Sequence, residues 1–113
     1  MSGISTHILD TSIGKPVASI AVVLERKTHT SGWQIVKETM TNADGRAADL
    51  MPPDQALPGH YRLVYEIGTY FAMRGIDCFF PHITINFVIK DQAQHYHIPL
   101  LLGPFGYTTY RGS

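Results

Sequence analysis

Hydrophobic and polar positions alternate with a period of two along most of the chain, the pattern of strands with one face buried and one wet. In HYRLVYEI (60–67), Tyr61, Leu63, Tyr65 and Ile67 share one face, opposite His60, Arg62 and Glu66. In HITINFVI (82–89), Ile83, Ile85, Phe87 and Ile89 lie opposite His82, Thr84 and Asn86. HYHIPLLL (95–102) groups Tyr96, Ile98, Leu100 and Leu102 against His95, His97, Pro99 and Leu101. SIAVVLER (19–26) is apolar on both sides in its middle, and GWQIVKET (32–39) alternates less cleanly from Trp33 and Ile35. With ISTHILD (4–10) and YTTYRG (107–112), the pattern predicts about seven or eight short strands.

Turn chemistry separates these runs. SIGKP (12–16) and NADG (42–45) carry the Gly, Pro, Asn and Asp residues that tight turns select, and MPPDQALPG (51–59) is too rich in proline for a central strand. GTYFAMRG (68–75), bracketed by glycines, breaks the alternation and predicts a two-turn helix stopped at Gly75. No repeat or linker divides residues 1–113, so a single domain is expected. Many short strands at this spacing predict a mainly β protein, a β-sandwich with one small helix.

Composition narrows the function classes. Formal net charge is zero, which gives no electrostatic case for nucleic acid or an anionic membrane. Charged residues make up only 16%, below the roughly 25% of ordinary soluble domains, which points toward surface buried in an oligomer. No apolar stretch reaches the roughly 18 residues of a membrane helix. MSGISTHILD has neither a basic n-region nor a long apolar core. A cytoplasmic location is expected, or a periplasmic one if a signal peptide has been trimmed away. The one cysteine, Cys78, forms no intrachain disulfide and reads as a small buried hydrophobe.

Six histidines carry the candidate chemistry. His60 and His82 fall on polar strand faces and His29 in a turn, so all three read as solvated surface. His95 and His97, two apart on one strand, leave the same face, an arrangement that also offers two imidazoles to a metal. No Cys, Asp or Glu stands beside them in sequence to complete such a site. His7 lies in a polar cluster of the first strand, and Arg46 closes the turn TNADGR. No phosphate loop, serine elbow or thiol–histidine pairing is present. On these grounds alone, enzyme, carrier and metal site remain open.

The closing run HYHIPLLLGPFGYTTYRGS (95–113) resembles the C-terminal signature of the transthyretin-related proteins, the 5-hydroxyisourate hydrolases of purine breakdown. The likeness extends to STHILDTSIGKPVA (5–18), TNADGR (41–46) and GHYRLVYEIGTYF (59–71), and so spans nearly the whole chain. Departures are small: Gly103 and Thr108 replace the usual serines, and Ile98 the usual valine. The resemblance implies a transthyretin-like β-sandwich of two four-stranded sheets, a short helix after the fifth strand, and a homotetramer built as a dimer of dimers. It implies a site in the channel between dimers, with His7, Arg46, His97 and Ser113 catalytic and with Tyr110, Arg111 and Gly112 joining His7 and Arg46 in substrate binding. Neither cofactor nor metal is implied. His95 shares a face with His97 and is open to three readings, a support behind the site, an interface or plain surface, with the last two preferred. The implied reaction opens the six-membered ring of 5-hydroxyisourate to give 2-oxo-4-hydroxy-4-carboxy-5-ureidoimidazoline. The competing expectation is a non-catalytic carrier that uses the same channel, as transthyretin does for thyroid hormone, although the carrier lacks the Tyr-Arg-Gly-Ser ending. Ser113 is expected to bring both a hydroxyl and an α-carboxylate to the site.

Overall fold

A computed structural model describes residues 3–30, 32–51 and 55–112, with Asp49 described by its backbone alone. Two sheets pack face to face. The first is built on β1 (Gly3–Asp10), which runs parallel to β8 (His95–Leu102) along its whole length. The opposite edge of β1 is shared by β2 (Lys15–Pro16) and β5 (Arg46–Met51), and β9 (Tyr107–Thr109) closes the sheet beyond β8. The second sheet is antiparallel throughout, in the order β4 (Trp33–Met40), β3 (Ala21–Lys27), β6 (Gly59–Glu66), β7 (His82–Ile89). Helix α1 (Gly68–Met73) follows β6, with Gly75 at φ 68° just beyond it.

The core is the one the alternation predicts. Tyr61, Leu63 and Tyr65 from one sheet, with Ile67 just beyond β6, meet Ile4, Ile8, Tyr96, Ile98, Leu100 and Leu102 from the other, all buried. Inter-sheet contact is not purely apolar. The Thr6 hydroxyl donates to the Ile98 carbonyl at 2.6 Å, so its oxygen accepts from the Tyr65 hydroxyl of the opposing sheet at 2.7 Å. Asp10, fully buried, accepts from Ser12 N and Oγ, from Tyr70 Oη at 2.7 Å and from Arg74 Nη1 at 2.8 Å. That carboxylate ties β1 to the turn after it and to α1.

Three details differ from the sequence expectation. The two-residue β2 makes the first sheet five-stranded; leaving it aside, each sheet has four strands and α1 follows the fifth. β5 was not anticipated, because RAADLM is short, has little β-branched or aromatic content and lacks clean alternation. The terminal strand ends at Thr109 rather than running on. Cys78 is half-buried, its thiol donating to the Phe80 carbonyl. Among the described residues no helix is long and apolar enough to cross a membrane.

Candidate active site

β1 sends Ile4, Thr6, Ile8 and Asp10 inward, so Ser5 and His7 project from the outer face of the sheet. Register then decides which residues meet. Paired residues on neighbouring strands share a face, and the pairings are Gly3 with His95, Ser5 with His97, and His7 with Arg46. Ser5, His7, Arg46, His95 and His97 therefore come together on one face from three strands. Ser5, Thr6, Arg46, Ala48, His95 and His97 line an open hollow of about 260 Å³.

Arg46 reaches this place through the NADG turn. Asn42 Oδ1 accepts from the backbone N–H groups of Asp44 (2.9 Å) and Arg46 (3.0 Å), an Asx-type closure. Gly45, at φ 75°, lies so close to β1 that a β-carbon there would fall 2.5 Å from the Ile8 carbonyl oxygen. Ile8 N–H in turn donates to the Gly45 carbonyl at 2.8 Å. His7 Nε2–H donates to the Asp44 carbonyl at 2.9 Å, so the turn fixes that ring as well.

His97 is held by its neighbours on the sheet. Its Nδ1 lies 2.8 Å from Ser5 Oγ, and the same hydroxyl lies 2.9 Å from His95 Nε2. The two imidazoles stack with centroids 6.3 Å apart and planes inclined by 17°. Burial pushes the His97 imidazole below its ordinary value of 6.5, and the charges of His95, Arg46 and His7 push the same way, against a raising hydrogen bond at the Ser5 backbone. A half-buried imidazole kept neutral beside a permanent cation suits proton abstraction near neutral pH.

The C-terminal segment closes over this ring. β9 pairs with Leu100–Leu102, pairing lapses beside Pro99, which brings no N–H, and the same register resumes where Gly112 N–H donates to the His97 carbonyl at 2.8 Å. Tyr110 and Arg111 bow out here. They line a second cleft of about 250 Å³ between β7 and β8, to which His97 also contributes. Arg111 is engaged there, donating to Gln94 Oε1 at 2.8 Å with its guanidinium 4.6 Å from the Tyr96 ring centroid. Ser113 lies outside the described residues.

The structure thus brings Arg46 and His97 into one hollow with His7 at its margin, and places Tyr110 and Arg111 on the other side of His97. His29, His60 and His82 are exposed, as expected. His95 is not plain surface, since its Nε2 meets Ser5. Ser5 itself went unmarked in the sequence, because only the non-local pairing of β1 with β8 puts it between the two imidazoles. Among the described residues no group of three or more His, Cys, Asp or Glu is placed to hold a metal ion.

Fold and site together define a transthyretin-like β-sandwich with an imidazole–guanidinium site on the outer face of one sheet. The family model described as HIUase/Transthyretin family matches residues 4–112, and the chain belongs to that family. It is 46% identical over 110 residues to the 5-hydroxyisourate hydrolase of Salmonella typhimurium, covering 97% of this chain and 80% of that one. The solved 5-hydroxyisourate hydrolase of Klebsiella pneumoniae superposes with a TM-score of 0.84 at 39% identity, covering 100% of both chains. The transthyretin of Sparus aurata superposes with a TM-score of 0.92 at 29% identity, covering 99% of this chain and 97% of that one. Backbone shape does not separate carrier from enzyme here. The sequence does, and these relatives mark the chain as a hydrolase.

Proposed function

We propose that the protein hydrolyses 5-hydroxyisourate, with His97 as general base and Arg46 as the group that receives the developing oxyanion. The observation that carries this reading is the convergence of His97 and Arg46 on one hollow, with His97 biased toward its neutral form. In the reaction, His97 Nε2 takes a proton from water as the water oxygen bonds to a ring carbonyl carbon. The carbonyl oxygen becomes an oxyanion beside the Arg46 guanidinium, whose planar fork stays charged throughout. Collapse of this adduct breaks the carbon–nitrogen bond. The departing nitrogen takes the proton back from His97, and the ring opens to a carboxylate. His7, pinned to the Asp44 carbonyl, orients substrate oxygens or the water. By the family resemblance, Tyr110, Arg111, Gly112 and Ser113 belong to the same reading, Tyr110 and Arg111 from the cleft on the other side of His97.

The assembly in this reading is a homotetramer, a dimer of dimers. Support comes from the low charge fraction and from β7 and β9, which end their sheets as open edges with pairing groups to spare. Light scattering on the purified protein measures the assembly directly. A cytoplasmic location, or a periplasmic one, belongs to the same reading.

The test generates 5-hydroxyisourate in the cuvette from urate and urate oxidase and follows its ultraviolet decay against the spontaneous rate. Acceleration that is lost on the order of 10²–10⁴-fold in His97→Asn supports the assignment. No acceleration by a folded oligomer overturns it and leaves the carrier function.

A further inference from the structure

A hydroxyl has one proton and two lone pairs, so Ser5 cannot donate to both imidazoles that flank it. With both rings neutral, either both donate to Ser5 while its proton goes to water, or the Ser5 proton goes to one ring, which leaves two arrangements for the contacts at 2.8 and 2.9 Å. In one, His95 Nε2–H donates to Ser5 and Ser5 donates to His97 Nδ1, which puts the His97 proton on Nε2. In the other, His97 Nδ1–H donates to Ser5 and Ser5 donates to His95 Nε2, which leaves His97 Nε2 bare. The choice decides whether the distal nitrogen of His97 is a donor or a base.

Arg46 decides between these two in favour of the second, and the shielding of Ser5 disfavours the arrangement that sends its proton to water. Arg46 lines the same hollow as His97, and a permanent cation attracts a lone pair and repels an N–H dipole. Ser5 is also well shielded, at 8% exposure, so water competes poorly for its single proton. Backbone register supports the geometry, since Ser5 is the parallel-strand partner of His97 and the rigid sheet holds the hydroxyl under the ring.

We propose that Ser5 is a positioning residue: its hydroxyl accepts from His97 Nδ1–H and donates to His95 Nε2, fixing the His97 tautomer in which Nε2 is free to take a proton. His95 is the acceptor for the Ser5 proton, and its role is to point that proton away from His97. The inference rests on the hydrolase reading for its purpose but not for its geometry.

The test is nitrogen NMR of the imidazoles in 15N-labelled, substrate-free protein at about pH 8, well above the ordinary imidazole value. Wild-type His97 is expected to carry its proton on Nδ1. Ser5→Ala and His95→Phe, the latter keeping a stacked ring but no acceptor, are expected to move that proton to Nε2, while Ser5→Thr retains the wild-type signature. In the cuvette, Ser5→Ala is expected to lower kcat roughly 10- to 100-fold with little change in KM, less than loss of the base itself. A wild-type His97 protonated on Nε2 overturns the proposal, as does an unchanged tautomer in both variants. Failure of the hydrolase reading is seen separately, as absence of turnover in wild-type protein whose His97 tautomer is already known.

Discussion

Gly112 sits so close to His97 that a β-carbon on it would fall 2.7 Å from the ring's Cδ2 and 3.3 Å from its Cγ. The same glycine donates its N–H to the His97 carbonyl, so the tail is tied to the strand that carries the imidazole. A side chain at 112 must displace either the ring or the tail. Because Pro99 Cγ also lies 3.3 Å from the built β-carbon, there is no empty side to move into.

Gly112→Ala is therefore expected to shift the His97 ring off Ser5 and to lower turnover by at least about tenfold, since misplacing a catalytic group by an ångström costs on that order or more. Global stability should change by no more than about 1 kcal/mol, because the position is at the end of the sheet and outside the core. Paired measurements of kcat and of the urea midpoint check this. Unchanged kcat in a stable variant would show that the contact does not constrain the ring.

The lowered pKa of His97 makes stability rise with pH. The folded protein holds His97 less protonated than an unfolded chain does, so between the folded value and about 6.5 the unfolded state binds more protons. Its contribution is complete above about 6.5 and is lost as pH falls through the folded value. The acid limb of kcat/KM should accordingly lie below 6.5. Removing a positive neighbour raises the value, so His97 in Arg46→Gln should titrate closer to the ordinary imidazole range. A proton NMR titration of His97 in substrate-free protein reads this without depending on activity. A midpoint above 6.5 in the wild type would contradict the charge arrangement described.

Much of this was legible from one sequence. Period-two alternation placed the inward-facing residues of β6, β7 and β8, because a buried face must be apolar wherever it occurs. Gly75 and the break in alternation placed α1. What the pattern did not disclose was non-local. β5 carries weak strand propensity and exists because the NADG turn, with Gly45 against Ile8, folds it onto β1. Ser5 reads as an ordinary polar residue until the parallel pairing of β1 with β8 sets it between His95 and His97, residues some 90 positions away. That same pairing also decides among the readings open for His95, by setting it against Ser5 as a partner of the site.

The Thr6–Tyr65 contact predicts an asymmetry in stability. Thr6 uses its proton on the Ile98 carbonyl, so it can only accept from Tyr65. Tyr65→Phe removes a donor and leaves Thr6 still bonded, at an expected cost of about 1 kcal/mol. Thr6→Val strands the Tyr65 hydroxyl in the core, where burial already pushes its phenol pKa upward, at an expected cost of about 2–3 kcal/mol. The double variant should cost less than the sum, because no polar group is then left stranded by its partner's loss. Denaturant midpoints of the three variants check this. Equal costs for the single variants would show that water reaches the Tyr65 hydroxyl.

Asp10 predicts a second, separate window of acid sensitivity. Burial works to raise its pKa, but hydrogen bonds from Ser12 and Tyr70 and the charge of Arg74 outweigh burial and hold it below the ordinary 3.8. A depressed carboxylate contributes stability that is present above the unfolded value and is lost as pH falls through the folded one. The Asp10 loss thus begins near pH 4, where the His97 loss is already under way or complete. Asp10→Asn should cost about 1.5–3 kcal/mol at neutral pH, the range for hydrogen bonds to a charged group, since Arg74 and Tyr70 lose their anionic acceptor. It should also flatten the stability profile below about pH 4 while leaving the slope near pH 6 intact. His97→Asn should do the reverse. Urea midpoints measured across this range for both variants separate the two contributions, and a single shared transition would show that the two sites titrate as one.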